Sequence, residues 1–257
     1  MDSNQFVQRV QVPSRGLLYS DKMPDGWVSL SPMTTRHEKR LLTVGRKRER
    51  VLDDILKDCL VDLPIPYEEL LVGDKYFLLF ALRSITYGSE YGFEIRCPEC
   101  GAVSRKEIEI PQGLRVRELT EDDVEPFFVE LPLSKKKVGL RHFRVRDEQA
   151  VNRFTHRELI RQRGGQEDIS GEVYIFRLAL RIVSIDGEEV QGPPLAFVEE
   201  LFGRDSLAIR RAVDEHECGL DLTLDLDCPR CGAAIKDTLP VSAEFFRPGA
   251  NESRTTI

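Results

Sequence analysis

A short cysteine motif occurs twice in this chain and constrains its fold more than any other feature. Residues 97–102 read CPECGA and residues 228–233 read CPRCGA. Residues that alternate between apolar and polar types flank both copies, a pattern typical of two strands joined by a tight turn. Each copy therefore predicts a β-hairpin that carries two thiols at its tip.

Four thiols at the tips of two hairpins match the ligand set of one structural metal ion. A Cys-X-X-Cys turn directs both sulfurs towards a single ion, and the glycine after the second cysteine permits the backbone twist of the turn. Four sulfurs complete the tetrahedral shell of zinc and leave no position for a substrate. We therefore predict one structural Zn²⁺ bound by Cys97, Cys100, Cys228 and Cys231.

The two halves of this predicted site are far apart in the chain, because residues 101–227 separate them. Closing such a loop costs about 4 kcal/mol, since the entropy grows only with the logarithm of loop length. A structural zinc site contributes roughly 10 to 16 kcal/mol. Distance along the chain is therefore no objection to a discontinuous zinc ribbon built from two β-hairpin knuckles.

The predicted fold class is α+β, a helical body joined to this ribbon. We expect three regions: 1–111, N-terminal strands and helices that end in the first knuckle; 112–170, an inserted connector, β-hairpin and helix; and 171–257, C-terminal helices and the second knuckle. A shared metal ion would make residues 1–257 one intertwined unit.

Hydrophobic spacing predicts the individual elements. Helices are expected over residues 35–44, 49–60, 75–86, 147–163, 172–185, 193–203 and 206–219, with Asp74, Asp147 and Asp205 as N-caps and with stops at Gly88 and at Gly164 and Gly165. A hairpin with a basic tip at residues 134–137 and one half-buried strand over residues 220–227 complete the pattern.

Two other interpretations of the cysteines stay open at this point. A thiol oxidoreductase also uses Cys-Pro-X-Cys, although its motif normally opens a helix, whereas strand residues follow both copies here. The four residues could also be buried cysteines without a ligand, which is the reading that we prefer for Cys59. A pair at a helix end is preferred for His216 and Cys218.

Composition bounds the function. A net charge of −7 argues against general binding of polyanions, and no apolar run approaches the length of a membrane helix. The start of the chain lacks the apolar core of a signal peptide, so a cytoplasm is the expected compartment. No phosphate-binding loop, dinucleotide fingerprint or His-Glu-X-X-His motif is present, so we expect no enzyme. The basic stretches GRKRER, SKKK and RHFRVR make a nucleic-acid-binding zinc-ribbon protein the alternative function.

Five stretches of the chain resemble a known family. They are VPSRGLLY, DKYFLLFALRSITYGSEY, CPECG, GLDLTLDLDCPRCG and LPVSAEFFRP, and together they span residues 12–248. In this order they resemble the baseplate hub and hub-assembly proteins of T-even-type tailed phages. The resemblance implies a non-enzymatic protein of contractile-tail assembly, located in the host cytoplasm or in the virion baseplate. Its partners would be hub and tail proteins, with the tape-measure protein as one candidate.

The segment near the N-terminus has two interpretations within this resemblance. Pro13 and Gly16 predict a rigid turn that presents Arg15, Leu17 and Leu18 at the surface. The turn could cover the core of its own domain. Alternatively, it could dock a hub partner through Pro13, Ser14, Arg15, Gly16, Leu17 and Leu18.

Overall fold

The computed structural model describes residues 6–43, 48–161, 168–239 and 245–246. Its helices are α1 (Thr35–Thr43), α2 (Arg48–Cys59), α3 (Val72–Tyr87), α4 (Val145–Arg161), α5 (Ser170–Ala179), α6 (Leu195–Glu199) and α7 (Gly203–His216). Helices and strands together give a mixed α+β fold, which confirms the predicted class. Among the described residues, no helix combines the length and the hydropathy that crossing a bilayer requires.

The strands form small antiparallel sheets. They are β1 (Gln8–Gln11), β2 (Trp27–Leu30), β3 (Leu60–Asp62), β4 (Glu90–Arg96), β5 (Val103–Glu109), β6 (Arg115–Arg117), β7 (Phe127–Glu130), β8 (Lys137–Leu140), β9 (Ile182–Ile185), β10 (Glu188–Glu189), β11 (Gly219–Asp221), β12 (Thr223–Asp227) and β13 (Ala234–Thr238). One sheet has the order β1-β2-β3 and another the order β10-β9-β8-β7. The remaining strands pair as β4-β5, β6-β11 and β12-β13.

The larger hydrophobic core surrounds α3, whose apolar residues face neighbours on most sides. Leu78 and Leu82 on this helix are fully buried. The β1-β2-β3 sheet, α2 and both cysteine hairpins contribute to the same core. Phe245 joins it from near the C-terminus, with its ring centroid 4.6 Å from that of Phe80 and 5.0 Å from that of Tyr91. Residues from both ends of the chain therefore pack on one helix.

A second, smaller core lies between the β10-β9-β8-β7 sheet and the helices α5, α6 and α7. Val138 and Leu140 on β8 and Ile209 on α7 are fully buried in it. The hairpin of β7 and β8 confirms the hairpin predicted from the sequence. The predicted division into regions 1–111, 112–170 and 171–257 stays a prediction.

Several predicted elements were wrong in their extent, two of them because of strand pairing. The helix expected over residues 172–185 ends at Ala179, and β9 follows as a partner of β8. The strand expected over residues 220–227 is two strands, because β11 pairs with β6 whereas β12 pairs with β13. Strand pairing with distant segments decided both cases, and the β-branched residues of β9 accommodate it easily.

The three predicted N-cap aspartates were also wrong, because each lies inside the first turn of its helix. The carboxylate of Asp74 accepts the backbone N–H of Ser14 at 2.9 Å. That of Asp205 accepts the N–H groups of Leu133, at 2.7 Å, and Ser134 in the tip of the β7-β8 hairpin. Acidic residues are favourable near a helix N-terminus, but here two of them also fasten distant loops.

Asp147 binds nearby, accepting the N–H of Arg144 at 2.9 Å. The predicted helix end at Gly88 is confirmed by its positive φ of 97°. The predicted stop at Gly164 and Gly165 lies outside the described residues.

Gly73, in the first turn of α3, lies against the segment that leads into β11. A Cβ atom at this position would come within 1.9 Å of the carbonyl oxygen of Cys218. Alanine is normally preferred over glycine in a helix by about 1 kcal/mol, yet overpacking against backbone costs about 1–3 kcal/mol. We therefore expect Gly73→Ala to lower the free energy of unfolding, measured by chemical denaturation.

Gly171→Ala in the first turn of α5 is the matched control for this prediction. Apart from its chain neighbours and the backbone of its own helix, no described atom lies within 4 Å of a Cβ atom built at Gly171, so the helix preference of alanine acts alone there. This substitution should raise stability by up to about 1 kcal/mol. Equal effects of the two substitutions would contradict the proposed close approach of α3 and the residues before β11.

Candidate metal centre

The tips of the two cysteine hairpins meet. Strands β4 and β5 carry Cys97 and Cys100 in the turn that joins them, and β12 and β13 carry Cys228 and Cys231 in theirs. All four sulfur atoms lie within 4.8 Å of one another. The Sγ atoms of Cys97 and Cys231 are 3.7 Å apart, as are those of Cys100 and Cys228. These two cross-hairpin distances are therefore equal.

The two turns have the same backbone hydrogen bonds. In the first, the N–H of Cys97 donates to the carbonyl of Ala102, and the N–H of Gly101 donates to the carbonyl of Cys97. The second turn repeats this pattern at the equivalent positions, from Cys228 to Ala233. The glycine φ angles are 68° at Gly101 and 73° at Gly232, a left-handed conformation that residues with a Cβ atom adopt only at a cost. The glycine in each motif is thus required by conformation.

The spacing of the sulfurs fits a tetrahedral ion. Four ligands at a Zn–S distance of about 2.3 Å would have their sulfurs about 3.8 Å apart. Two cross-hairpin pairs are at 3.7 Å, whereas a disulfide bond requires about 2.05 Å. All four cysteines are free thiols. The arrangement could therefore hold a metal ion with a closed shell of four sulfurs.

The electrostatics of the cluster also favour a cation. Hydrogen bonds from the backbone N–H groups of Cys231 and Arg230 lower the pKa of the Cys228 thiol to about 6. At Cys231 the backbone N–H of Ala233 lowers the pKa, but hydrogen bonds with the sulfurs of Cys100 and Cys228 outweigh it and raise the value to about 12. The thiol of Cys228 thus ionises readily, whereas that of Cys231 resists ionisation. A bound divalent cation would favour the thiolate form of its ligands.

Packing beneath the cluster holds the hairpins together. Ile95 and Ile235, one from each hairpin, are buried in the larger core. The ammonium group of Lys106 donates to the carbonyl of Asp227 at 3.2 Å and so joins the two hairpins directly. Among the thiols, Cys97 and Cys228 are buried, whereas Cys231 is exposed. The candidate centre is thus closed on its inner side and reaches the surface on its outer side.

His216 and Cys218 take other partners. The Nδ1 atom of His216 lies 2.9 Å from a carboxylate oxygen of Asp123. The thiol of Cys218 points to Asp74 at 3.7 Å. Cys59 is fully buried in the larger core, as expected for a small apolar residue.

The segment 13–18 forms the predicted turn, but only part of it is exposed. Arg15 and Leu17 lie at the surface, Leu18 is half-buried against the larger core, and Pro13, Ser14 and Gly16 are buried. A salt bridge of 2.6 Å joins Arg15 to Glu118. The surface position predicted for Leu18 is therefore only partly correct, and partner binding by this segment stays a prediction.

A buried polar cluster that sequence reasoning missed anchors this turn. The carboxylate of Asp74, fully buried, accepts the N–H of Ser14 at 2.9 Å and the hydroxyl of Tyr19 at 2.5 Å. The Tyr19 hydroxyl in turn accepts the N–H of Leu71 at 2.8 Å. The sequence feature that could have indicated this cluster is an aspartate at the start of an apolar helix. That feature predicts a helix cap equally well. The turn is thus tied to the start of α3.

Comparison with known proteins identifies one family. Residues 17–126 match the family described as T4 bacteriophage base plate protein. This confirms the resemblance found from the motifs, and the matched segment includes α3 and the hairpin that carries Cys97 and Cys100. No curated protein and no solved structure matches the chain.

Proposed function

Since residues 17–126 match the family of T4 bacteriophage base plate proteins, we propose that the chain is a non-enzymatic component or assembly factor of the baseplate hub of a contractile tail. The family match is the observation that carries this proposal. Its partners are then other hub and tail proteins, and its location is the virion baseplate or the host cytoplasm during assembly. The conclusion concerns protein–protein contacts, and no catalytic step is assigned to it.

The proposed cofactor is one structural Zn²⁺ bound by Cys97, Cys100, Cys228 and Cys231. The support is the set of four sulfurs within 4.8 Å, which suits zinc in number and chemistry. When bound, the ion supplies a rigid link with no open coordination position. This arrangement would complete a discontinuous zinc ribbon of two knuckles, and it favours a structural site over a redox pair.

The consequence of such a link is mechanical. The first cysteine hairpin follows α3 directly, and the second follows α7 through the short strand β11. A link between the hairpins would therefore fix elements of the larger core relative to helix α7 of the smaller one. A surface composed of both parts would keep one geometry, which lowers the entropy cost of binding a partner.

The segment 13–18 is the proposed docking site within this scaffold. Its exposed residues Arg15 and Leu17 stand on a turn that Asp74 holds from below. An exposed apolar side chain beside a guanidinium group is suited to a protein partner, since both residue types contribute to interface contacts. Preorganisation by the buried carboxylate is what supports this reading over a turn that only covers the core.

The nucleic-acid alternative has weaker support. The ammonium group of Lys136 pairs with Asp186 at 3.5 Å, and that of Lys137 lies over the ring of Phe128. Arg144 pairs with Glu125 at 2.7 Å. Cations with such partners are less available to phosphates. Part of the GRKRER stretch, residues 45–47, lies outside the described residues.

Deleting the gene in the phage that encodes this chain tests the proposed function. We expect lysates without complete baseplates, seen by electron microscopy, and recovery when the gene is supplied in trans. Mass spectrometry of wild-type virions then separates the two forms of the proposal, since a hub component is present and a transient assembly factor is absent. Normal tails and normal infectivity without the gene would overturn the proposal.

A further inference from the structure

A groove rich in arginine lies between α5 and α7, away from the cysteine cluster. It encloses about 230 Å³, enough space for one or two side chains. Its apolar lining comes from Leu178 on α5 and from Leu207 and Val213 on α7. A hydrogen bond of 2.8 Å between the hydroxyls of Tyr174 and Ser206 joins the two helices. The groove therefore has defined walls as well as an apolar lining.

Positive charge dominates its walls. Four arginines line the groove, namely Arg177, Arg181, Arg210 and Arg211. Among the described residues that line it, the one acid is Asp214. Arg177, Arg210 and Arg211 are exposed, and no salt bridge to a described residue involves them. The groove is therefore a local basic patch on a chain whose net charge is −7.

Arg181 adds a second observation. One of its terminal nitrogens binds Glu217, but the other, Nη1, is buried and has no hydrogen-bond partner among the described residues. A buried guanidinium nitrogen without an acceptor is energetically unfavourable. An anionic group placed in the groove would provide acceptors for the exposed guanidinium groups of Arg177 on α5 and of Arg210 and Arg211 on α7.

We propose that this groove binds an acidic, amphipathic segment of a partner protein. Arginine binds carboxylates through two parallel hydrogen bonds, and the apolar lining would cover leucine-like side chains between the acids. A nucleic-acid strand would use the charges but not this lining, and the net negative charge of the chain would oppose its approach. Binding of an acidic segment by the groove does not depend on the proposed baseplate function. Only the identity of the partner, a baseplate or tail protein, rests on that function.

A synthetic peptide with glutamates on one helical face and leucines on the other tests the proposal by fluorescence anisotropy with the full chain. We expect saturable binding that Arg210→Glu/Arg211→Glu weakens by about tenfold or more, because each charge-assisted hydrogen bond accounts for that order of affinity. Arg36→Glu/Arg153→Glu, a pair of exposed arginines outside the groove with the same change in charge, should leave the affinity within about twofold.

Three outcomes would overturn the proposal. One is equal weakening by both double variants, which would indicate a general charge effect. Another is that the chain binds a labelled DNA duplex but not the peptide, and that Arg210→Glu/Arg211→Glu abolishes the binding of DNA. The third is self-association in sedimentation that the same variant abolishes, which would make the groove an interface between copies. A deletion phage with normal tails would reject the baseplate function without affecting the peptide result.

Discussion

Replacing Cys228 by serine should abolish metal binding and lower the free energy of unfolding by several kcal/mol. A structural zinc site in a small domain contributes roughly 10 to 16 kcal/mol, comparable to the whole stability of a typical domain, about 5 to 15 kcal/mol. Cys228 is buried, and its sulfur lies 3.7 Å from that of Cys100 in the other hairpin. Elemental analysis should find about one zinc per wild-type chain and none in the variant, which should also melt at a lower temperature.

Cys59→Ala provides the control for this experiment. It also removes one thiol, but Cys59 lies in α2 and is outside the group of four sulfurs. This variant should retain its zinc and lose only the smaller energy of a reduced core side chain. The structural role of the metal would be rejected if a chelator removed it without changing the melting temperature. Unchanged zinc content in Cys228→Ser would reject the assignment of the ligand.

Asp74→Ala should have the second-largest effect, a loss of about 3 kcal/mol or more. The substitution leaves the N–H of Ser14 and the hydroxyl of Tyr19 without their buried acceptor, and each unsatisfied donor costs about 1–3 kcal/mol. The turn at residues 13–18 should loosen with it. Chemical denaturation measures the first effect, and faster amide hydrogen exchange at Ser14 measures the second.

Asp225→Ala is the matched control, because the one salt bridge of this exposed carboxylate to a described residue is a distant pairing with Arg115 at 3.9 Å. Its removal should change stability by less than about 0.5 kcal/mol. If Asp74→Ala were equally mild, the buried carboxylate could not be the anchor of the turn. The exchange rate at Ser14 would then also remain as in the wild type.

Asp74 also predicts a pH dependence. Burial raises the pKa of its carboxyl above the ordinary value of 3.8, although hydrogen bonds from Ser14 and Tyr19 act against this shift. The folded state therefore holds the proton more tightly than the unfolded state. The contribution of this group to the free energy of unfolding is greatest below its pKa in the unfolded state. It declines as the pH rises through its pKa in the folded state. Asp74→Asn, which cannot ionise, should accordingly be more harmful relative to wild type in acid than at neutral pH.

Local patterns identified much of the fold. Both cysteine hairpins and the hairpin of β7 and β8 were predicted from alternation and turn residues, and α1 to α4 from helical spacing. These elements depend on contacts between residues close in the chain, so sequence periodicity reports them directly. The split of residues 172–185 into α5 and β9 was missed because β9 exists only through its pairing with β8.

Aspartates near helix starts also show that local patterns do not reveal contacts with distant residues. Asp74 and Asp205 read as local caps, since an acid near a helix N-terminus is favourable in any context. In the structure their carboxylates instead hold Ser14 and the turn at Leu133. No local pattern distinguishes these uses, because the partner is more than fifty residues away in either case.

The chain by itself determined the chemistry of the candidate centre, namely four thiols in two glycine-terminated turns, since each turn is closed by hydrogen bonds within six residues. Only the tertiary structure decided that these turns meet, because both hairpins contribute to the larger core that also contains α3 and Phe245, and this packing brings the sulfurs within 4.8 Å. It likewise decided that arginines from α5 and α7 share one groove. Residue types and local geometry are encoded over a few positions, whereas proximity between distant segments is a property of the whole core.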